Sequence, residues 1–181
     1  VEKAAAAAGI DPQAFVDKYS QTFRHLAVEM QVTNDDFIRT TEPRHKVAAQ
    51  HLWNELLKNG QIYLGSYAGW YSVRDEAFYA ESELIDGKAP TGAPVEWVEE
   101  PSYFFKLSEW GDKLLEYYEK HPDFIQPESR RNEVISFVKS GLRDLSVSRA
   151  SFKWGVPVPN DPDHVMYVWL DALTNYLTVL G

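Results

Sequence analysis

The sequence predicts an α/β protein whose frame is interrupted by an inserted antiparallel module. Residues 1–60 carry helical spacing, residues 61–108 are rich in β-formers broken by Gly and Pro, and the remainder returns to helix and strand. Helices, then a β-rich middle, then helix and strand again is the order such an interrupted frame produces. Bulk composition agrees. The chain has 181 residues, 44% of them hydrophobic, which suits one globular domain, alone or with a smaller insertion.

The first helix is announced by Asp11-Pro12, an N-cap followed by proline at the first helical position. Phe15, Tyr19, Phe23, Leu26 and Met30 then recur at steps of four, four, three and four, an apolar helical face. A second helix starts near Thr41 or Glu42 with Pro43 in its first turn. Val47, Leu52 and Leu56 are expected on its buried side, and Asn59-Gly60 ends it. The stretch "IYLGSYAGWYS" reads as strands with tight turns at Gly65 and Gly69, and "VEWV" and "SYFFKL" as two further strands. Helices are expected over Glu109 to Lys120 and Glu128 to Ser140, the latter closed by Gly141. "DLSVSR" is a short alternating strand. The tail "HVMYVWLDALTNYLTVLG" is a buried strand from Val165 to Leu170, then a helix N-capped by Asp171. In an α/β frame, ligands sit at the carboxyl ends of parallel strands, and Trp169 falls at such an end. Trp169, Ala172, Leu173 and Tyr176, three or four apart, line one apolar cup with a hydroxyl at its rim. Such a cup suits a flexible apolar side chain, above all a thioether. Plain core packing is the competing reading of the same spacing.

Charge and cysteine content exclude several function classes. The net charge of -9 argues against a general nucleic-acid coat protein. With no cysteine there is no disulfide framework and no thiolate metal site, and a reducing, intracellular setting fits. No apolar run reaches membrane-spanning length, so no membrane partner is expected. "VEKAAAAAGIDPQ" lacks the basic and apolar regions of a signal peptide. It also lacks an initiator Met, and the sequence stops in the expected last helix. Both features read as a piece of a longer chain.

Six stretches, "FIRTTEPRH", "GWYSVRDEAFYAE", "EEPSYFFKLS", "PESRRNEVISFVKSGLRDLSVSR", "FKWGVPVP" and "YVWLDALTNY", together and in this order resemble the methionyl-tRNA synthetase family end to end. The resemblance implies a class I Rossmann-type catalytic domain. Residues 1–62 and 144–181 would belong to it, and residues 63–143 would form the antiparallel α+β connective insertion. It implies an ATP-dependent ligase that makes methionyl-adenylate and transfers methionine to the 3′ end of tRNA. ATP with Mg2+ is then co-substrate, and the setting cytoplasmic, or an organellar matrix for an organellar parent. The family is often monomeric. By position, Trp169, Ala172, Leu173 and Tyr176 match its methionine pocket, with Leu145 a weaker candidate. Arg149 matches an arginine of amino-acid activation, able to steady an anionic oxygen; otherwise it is a surface ion pair. Many relatives carry cysteine zinc knuckles in the insertion, so this sequence resembles the zinc-free subtype and no metal is expected. The family's two ATP signature motifs, its carboxylate for the methionine amine and its anticodon-binding domain have no counterpart in these 181 residues. The chain alone is therefore expected not to activate methionine.

Two further patterns carry chemistry. Arg130, Arg131, Lys139, Arg143, Arg149 and Lys153 are opposed only by Glu133 and Asp144 between residues 130 and 153. The local positive excess suits contact with tRNA phosphates, against a solvated helix face. The five histidines are scattered, and His45 and His51 are six apart, poor for a shared helical face and for metal. "RDE" at 74–76 and Glu99-Glu100 read as turn and strand-edge charges rather than paired acids. An alternative function is a non-catalytic binding module. That module is either a connective domain contacting tRNA or a carbohydrate binder whose six tryptophans and ten tyrosines stack on sugars.

Overall fold

The computed structural model describes residues 1–75 and 77–181. It is α/β and divides into two compact units, residues 1–55 with 148–181, and residues 56–147.

The first unit opens with α1 (Glu2–Ala8), formed by the alanine run, the residue type with the highest helix propensity. It stops at Gly9, whose φ of 66° is the left-handed cap glycine tolerates. Helix α2 (Pro12–Glu29) starts as the sequence dictates: Asp11 accepts hydrogen bonds from Gln13 N (2.8 Å) and Ala14 N (3.2 Å). Its apolar face forms but buries no residue; Tyr19, Phe23, Leu26 and Met30 are all exposed.

Helix α3 (Pro43–Lys58) corrects the expected face. Its buried stripe is His45, Ala49 and Trp53, four apart, whereas Val47 is 67% exposed and Leu52 and Leu56 are half-buried. Hydropathy alone favoured Val47 and Leu52; the larger ring of Trp53 contributes more burial, and His45 is admitted because a partner satisfies it.

Strands β5 (Ser148–Arg149), β6 (Pro157–Val158) and β7 (Asp161–Met166) form a three-stranded sheet in the order β5-β7-β6. Both pairings are antiparallel, so β7 does not end at a parallel strand's carboxyl end. Gly155 lies so close to β7 that a Cβ there would sit 3.1 Å from Val165 Cβ. Val156, Val158, Val165, Met166 and Leu170 make the local core. Helix α6 (Val168–Thr178) follows β7 directly. The expected strand therefore ends four residues early, at Met166, and Asp171 is not the N-cap. Tyr167 takes that position, with no side-chain cap hydrogen bond. The run 165–170 reads as strand because it is apolar and β-branched, yet short apolar runs fit either state.

The second unit is built on β1 (Ile62–Ser72), paired along its length with β3 (Glu96–Phe105), from Ile62 opposite Phe105 to Tyr71 opposite Glu96. "VEWV" and "SYFFKL" thus belong to one strand. Gly65 marks no turn; it leaves room for the Phe104 ring, 3.2 Å from where a Cβ would stand. Strands β2 (Ala77–Tyr79) and β4 (Leu145–Ser146) complete the antiparallel order β2-β1-β3-β4. "DLSVSR" is accordingly two short strands, β4 and β5, in different sheets. Helices α4 (Gly111–Lys120) and α5 (Glu128–Lys139) close the unit, the second ended by Gly141 at φ 98°.

Candidate functional site

The site is built on α6. A helix advances about 100° per residue, so Trp169, Ala172, Leu173 and Tyr176 fall within an arc of roughly 100° on one face. Leu170, Asp171, Thr174 and Thr178 occupy the other side. Burial follows this division. Leu170 and Thr174 are buried, while Trp169 is 49%, Leu173 56% and Tyr176 74% exposed. The structure brings the four residues together on one open apolar face of the described residues, and Trp169 stands in the helix's first turn rather than at a strand end.

Asp171 is the one charged side chain of α6. It faces inward: His45 Nε2–H donates to its Oδ1 at 2.7 Å. Burial raises the Asp171 carboxyl above the ordinary 3.8, against the lowering effect of His45 and Lys46. Beside it, a cavity of about 210 Å3 is lined by Thr41, Lys46, Trp154, Tyr167 and Asp171, among others.

Arg149, in β5, does not lie at the surface. It is buried, donates from Nη1 to Ser148 O (2.8 Å), and its guanidinium lies 3.7 Å from the centroid of the Tyr167 ring. Tyr167 in turn caps α6, so Arg149 reaches the start of the site-bearing helix through one aromatic ring.

The basic residues of the second unit divide by partner. Arg130 is exposed and donates to Glu133 (2.6 Å); Arg131 is half-buried and donates to Tyr118 O (3.2 Å), tying α5 to α4. Lys139 and Arg143 are exposed, Lys139 in the last turn of α5, where a cation complements the helix dipole. Leu145 is half-buried in β4, opposite Phe105. Of the other carboxylates, Glu100 is buried in β3, Glu99 accepts from Ser66 Oγ (2.9 Å), and Asp75 pairs with Arg74; Glu76 lies outside the described residues. Among the described residues, no three His, Asp or Glu side chains converge as metal ligands, and no helix is long and apolar enough to cross a membrane.

His45, which bonds Asp171, was not legible in the sequence. Its neighbours in sequence gave no signal, because its partner lies 126 residues away.

This α/β arrangement belongs to a defined class. The family model described as tRNA synthetases class I (M) matches residues 1–96 and 83–181, which together span the sequence. The chain belongs to that family. It is 68% identical over its whole length to a protein of Rickettsia conorii named methionine–tRNA ligase, and 58% identical over 96% of its length to one of Brucella suis with the same name. A solved structure described as Mycobacterium tuberculosis methionyl-tRNA synthetase in complex with methionyl-adenylate matches all of the chain at 55% identity and a TM-score of 0.89. The chain spans 36% of the length of the Rickettsia relative and 36% of the mycobacterial chain.

Proposed function

We propose that this chain is the methionine-binding segment of a methionine–tRNA ligase. The observation that carries the proposal is identity of 68% along the entire chain to a protein named for that activity. The mycobacterial neighbour, described as holding methionyl-adenylate, supports methionine and ATP as substrates. In the reaction, the methionine carboxylate attacks the α-phosphorus of ATP and pyrophosphate leaves. The terminal ribose hydroxyl of tRNA then attacks the acyl carbon, and AMP leaves. Trp169, Ala172, Leu173 and Tyr176 take the methionine side chain, whose thioether packs well on aromatic rings. Arg149 steadies anionic oxygens of the reacting groups; its burial strengthens that electrostatic effect.

The two compact units correspond, in this reading, to parts of a Rossmann-type catalytic domain and an antiparallel connective insertion, in an enzyme of the cytoplasm or an organellar matrix. The 181 residues alone do not activate methionine; methionine-dependent pyrophosphate exchange by the isolated chain would overturn that statement. Arg130, Lys139 and Arg143 contact tRNA phosphates. Reversing these three charges is expected to weaken tRNA binding and reduce its salt dependence, and unchanged binding speaks against the contact.

The test of the main proposal is methionine-dependent ATP–pyrophosphate exchange by a chain of the relatives' full length, with and without Trp169→Ala. Exchange that requires methionine and falls steeply in the variant is expected. Exchange insensitive to the change would return Trp169 to a structural role, and no exchange with any amino acid would remove the ligase assignment.

A further inference from the structure

We infer that His45 is a positioning residue for the methionine-binding face, setting the rotation of α6 about its own axis through Asp171. The inference rests on the methionine-binding reading above and names a residue that touches no substrate.

Three observations combine. First, His45 is completely buried, and a buried polar ring is retained at low cost only when it is partnered. Its two nitrogens both face α6: Nε2 donates to Asp171 Oδ1 at 2.7 Å, and Nδ1 lies 3.4 Å from Thr178 Oγ1. Residues 171 and 178 are two turns apart on the inner side of α6, so one ring spans most of the helix. Second, α6 has no side-chain N-cap, and Asp171 is its one charged side chain. The 2.7 Å bond to His45 is therefore the strong directional polar contact in its first turn. Third, Asp171 is adjacent to Ala172 and two residues from Trp169, on the side opposite the exposed face. Rotation of α6 moves both sides together. A roll of roughly 20° carries a side-chain atom about 6 Å from the axis through roughly 2 Å. Displacements of about 1 Å at a binding or reacting group cost on the order of 100-fold. Apolar packing of Leu170 resists such a roll weakly, since it is non-directional. A hydrogen bond of fixed length resists it directly.

The lateral position of His45 is itself secured. It continues the buried stripe of α3 with Ala49 and Trp53, so its backbone is held by packing that Asp171 does not influence. Lys46, the next residue, lines the same cavity as Asp171 and acts on it through its charge.

The experiment compares His45→Leu, His45→Gln and His45→Asn in a chain of the relatives' full length, measuring KM for methionine and for ATP in pyrophosphate exchange. Glutamine places an amide nitrogen near the Nε2 position and reaches Asp171; asparagine places one near Nδ1 and does not. The Leu and Asn variants are expected to raise KM for methionine at least 10-fold while KM for ATP stays within twofold. The Gln variant is expected within about threefold of the unsubstituted enzyme. Equal loss in the Gln and Asn variants, whether in KM or by misfolding, overturns the inference. So does a parallel rise in both KM values. Absence of methionine-dependent exchange in the unsubstituted enzyme defeats the substrate assignment instead.

Discussion

Trp53 and Val47 lie on different faces of α3, roughly 120° apart, and truncating each separates the two possible buried faces of that helix. Trp53 is fully buried, the largest such side chain among the described residues, while Val47 is 67% exposed. A buried aromatic side chain removes roughly 150–250 Å2 from water, and about 25 cal/mol per Å2 gives roughly 4–6 kcal/mol as an upper bound. Measured truncations of large aromatics in cores cost about 3–5 kcal/mol, the cavity included. Trp53→Ala is therefore expected to destabilise the unit of residues 1–55 and 148–181 by about 3–5 kcal/mol. Val47→Ala, at an exposed helical position, is expected to change stability by less than about 0.5 kcal/mol. The assay is urea denaturation of the 181-residue chain followed by far-UV circular dichroism, which does not depend on the deleted indole. A cost below about 1 kcal/mol for Trp53→Ala, or above about 2 kcal/mol for Val47→Ala, would refute the assignment of the His45, Ala49 and Trp53 stripe to the core.

Gly155→Ala places a methyl 3.1 Å from Val165 Cβ, on a strand held by neighbours on both sides, and is expected to cost about 1–2 kcal/mol; an unchanged urea midpoint would show that β7 yields freely. Asp171 supplies a pH prediction. Its folded carboxyl titrates above the ordinary 3.8 because burial disfavours the charge, so the folded state holds a proton that the unfolded chain releases. That contribution is complete below 3.8 and is lost as pH rises through the folded value. Asp171→Asn removes this titration while keeping an oxygen toward His45. The stability of the unsubstituted chain relative to the variant should therefore fall as pH rises from about 3.8 and then level off; a difference independent of pH, or of opposite slope, contradicts the burial argument.

Local chemistry made part of this molecule legible from its letters. The Asp11 cap, the proline at the start of α2, the end of α5 at Gly141 and the helical spacing from Trp169 to Tyr176 each depend on contacts within a few residues. The six stretches that resemble one synthetase family are also read from the residues alone, and the chain belongs to that family. The second helix shows where such reasoning stops. Its length and proline start are local matters, but the choice between Val47 and His45 as the inward residue depends on what stands opposite.

The α/β class, most helix positions and the residues that share one face of α6 were legible in the residues alone. Long-range packing set three further features. It made one strand of residues 96–105 by pairing it with residues 62–71, it turned the apolar run before Asp171 into helix from Val168 onward, and it brought His45 to Asp171 across 126 residues of sequence. One cause underlies all three. Strand pairing and the burial of a polar group are settled by partners distant in the chain, and a side chain's own hydropathy carries no record of them.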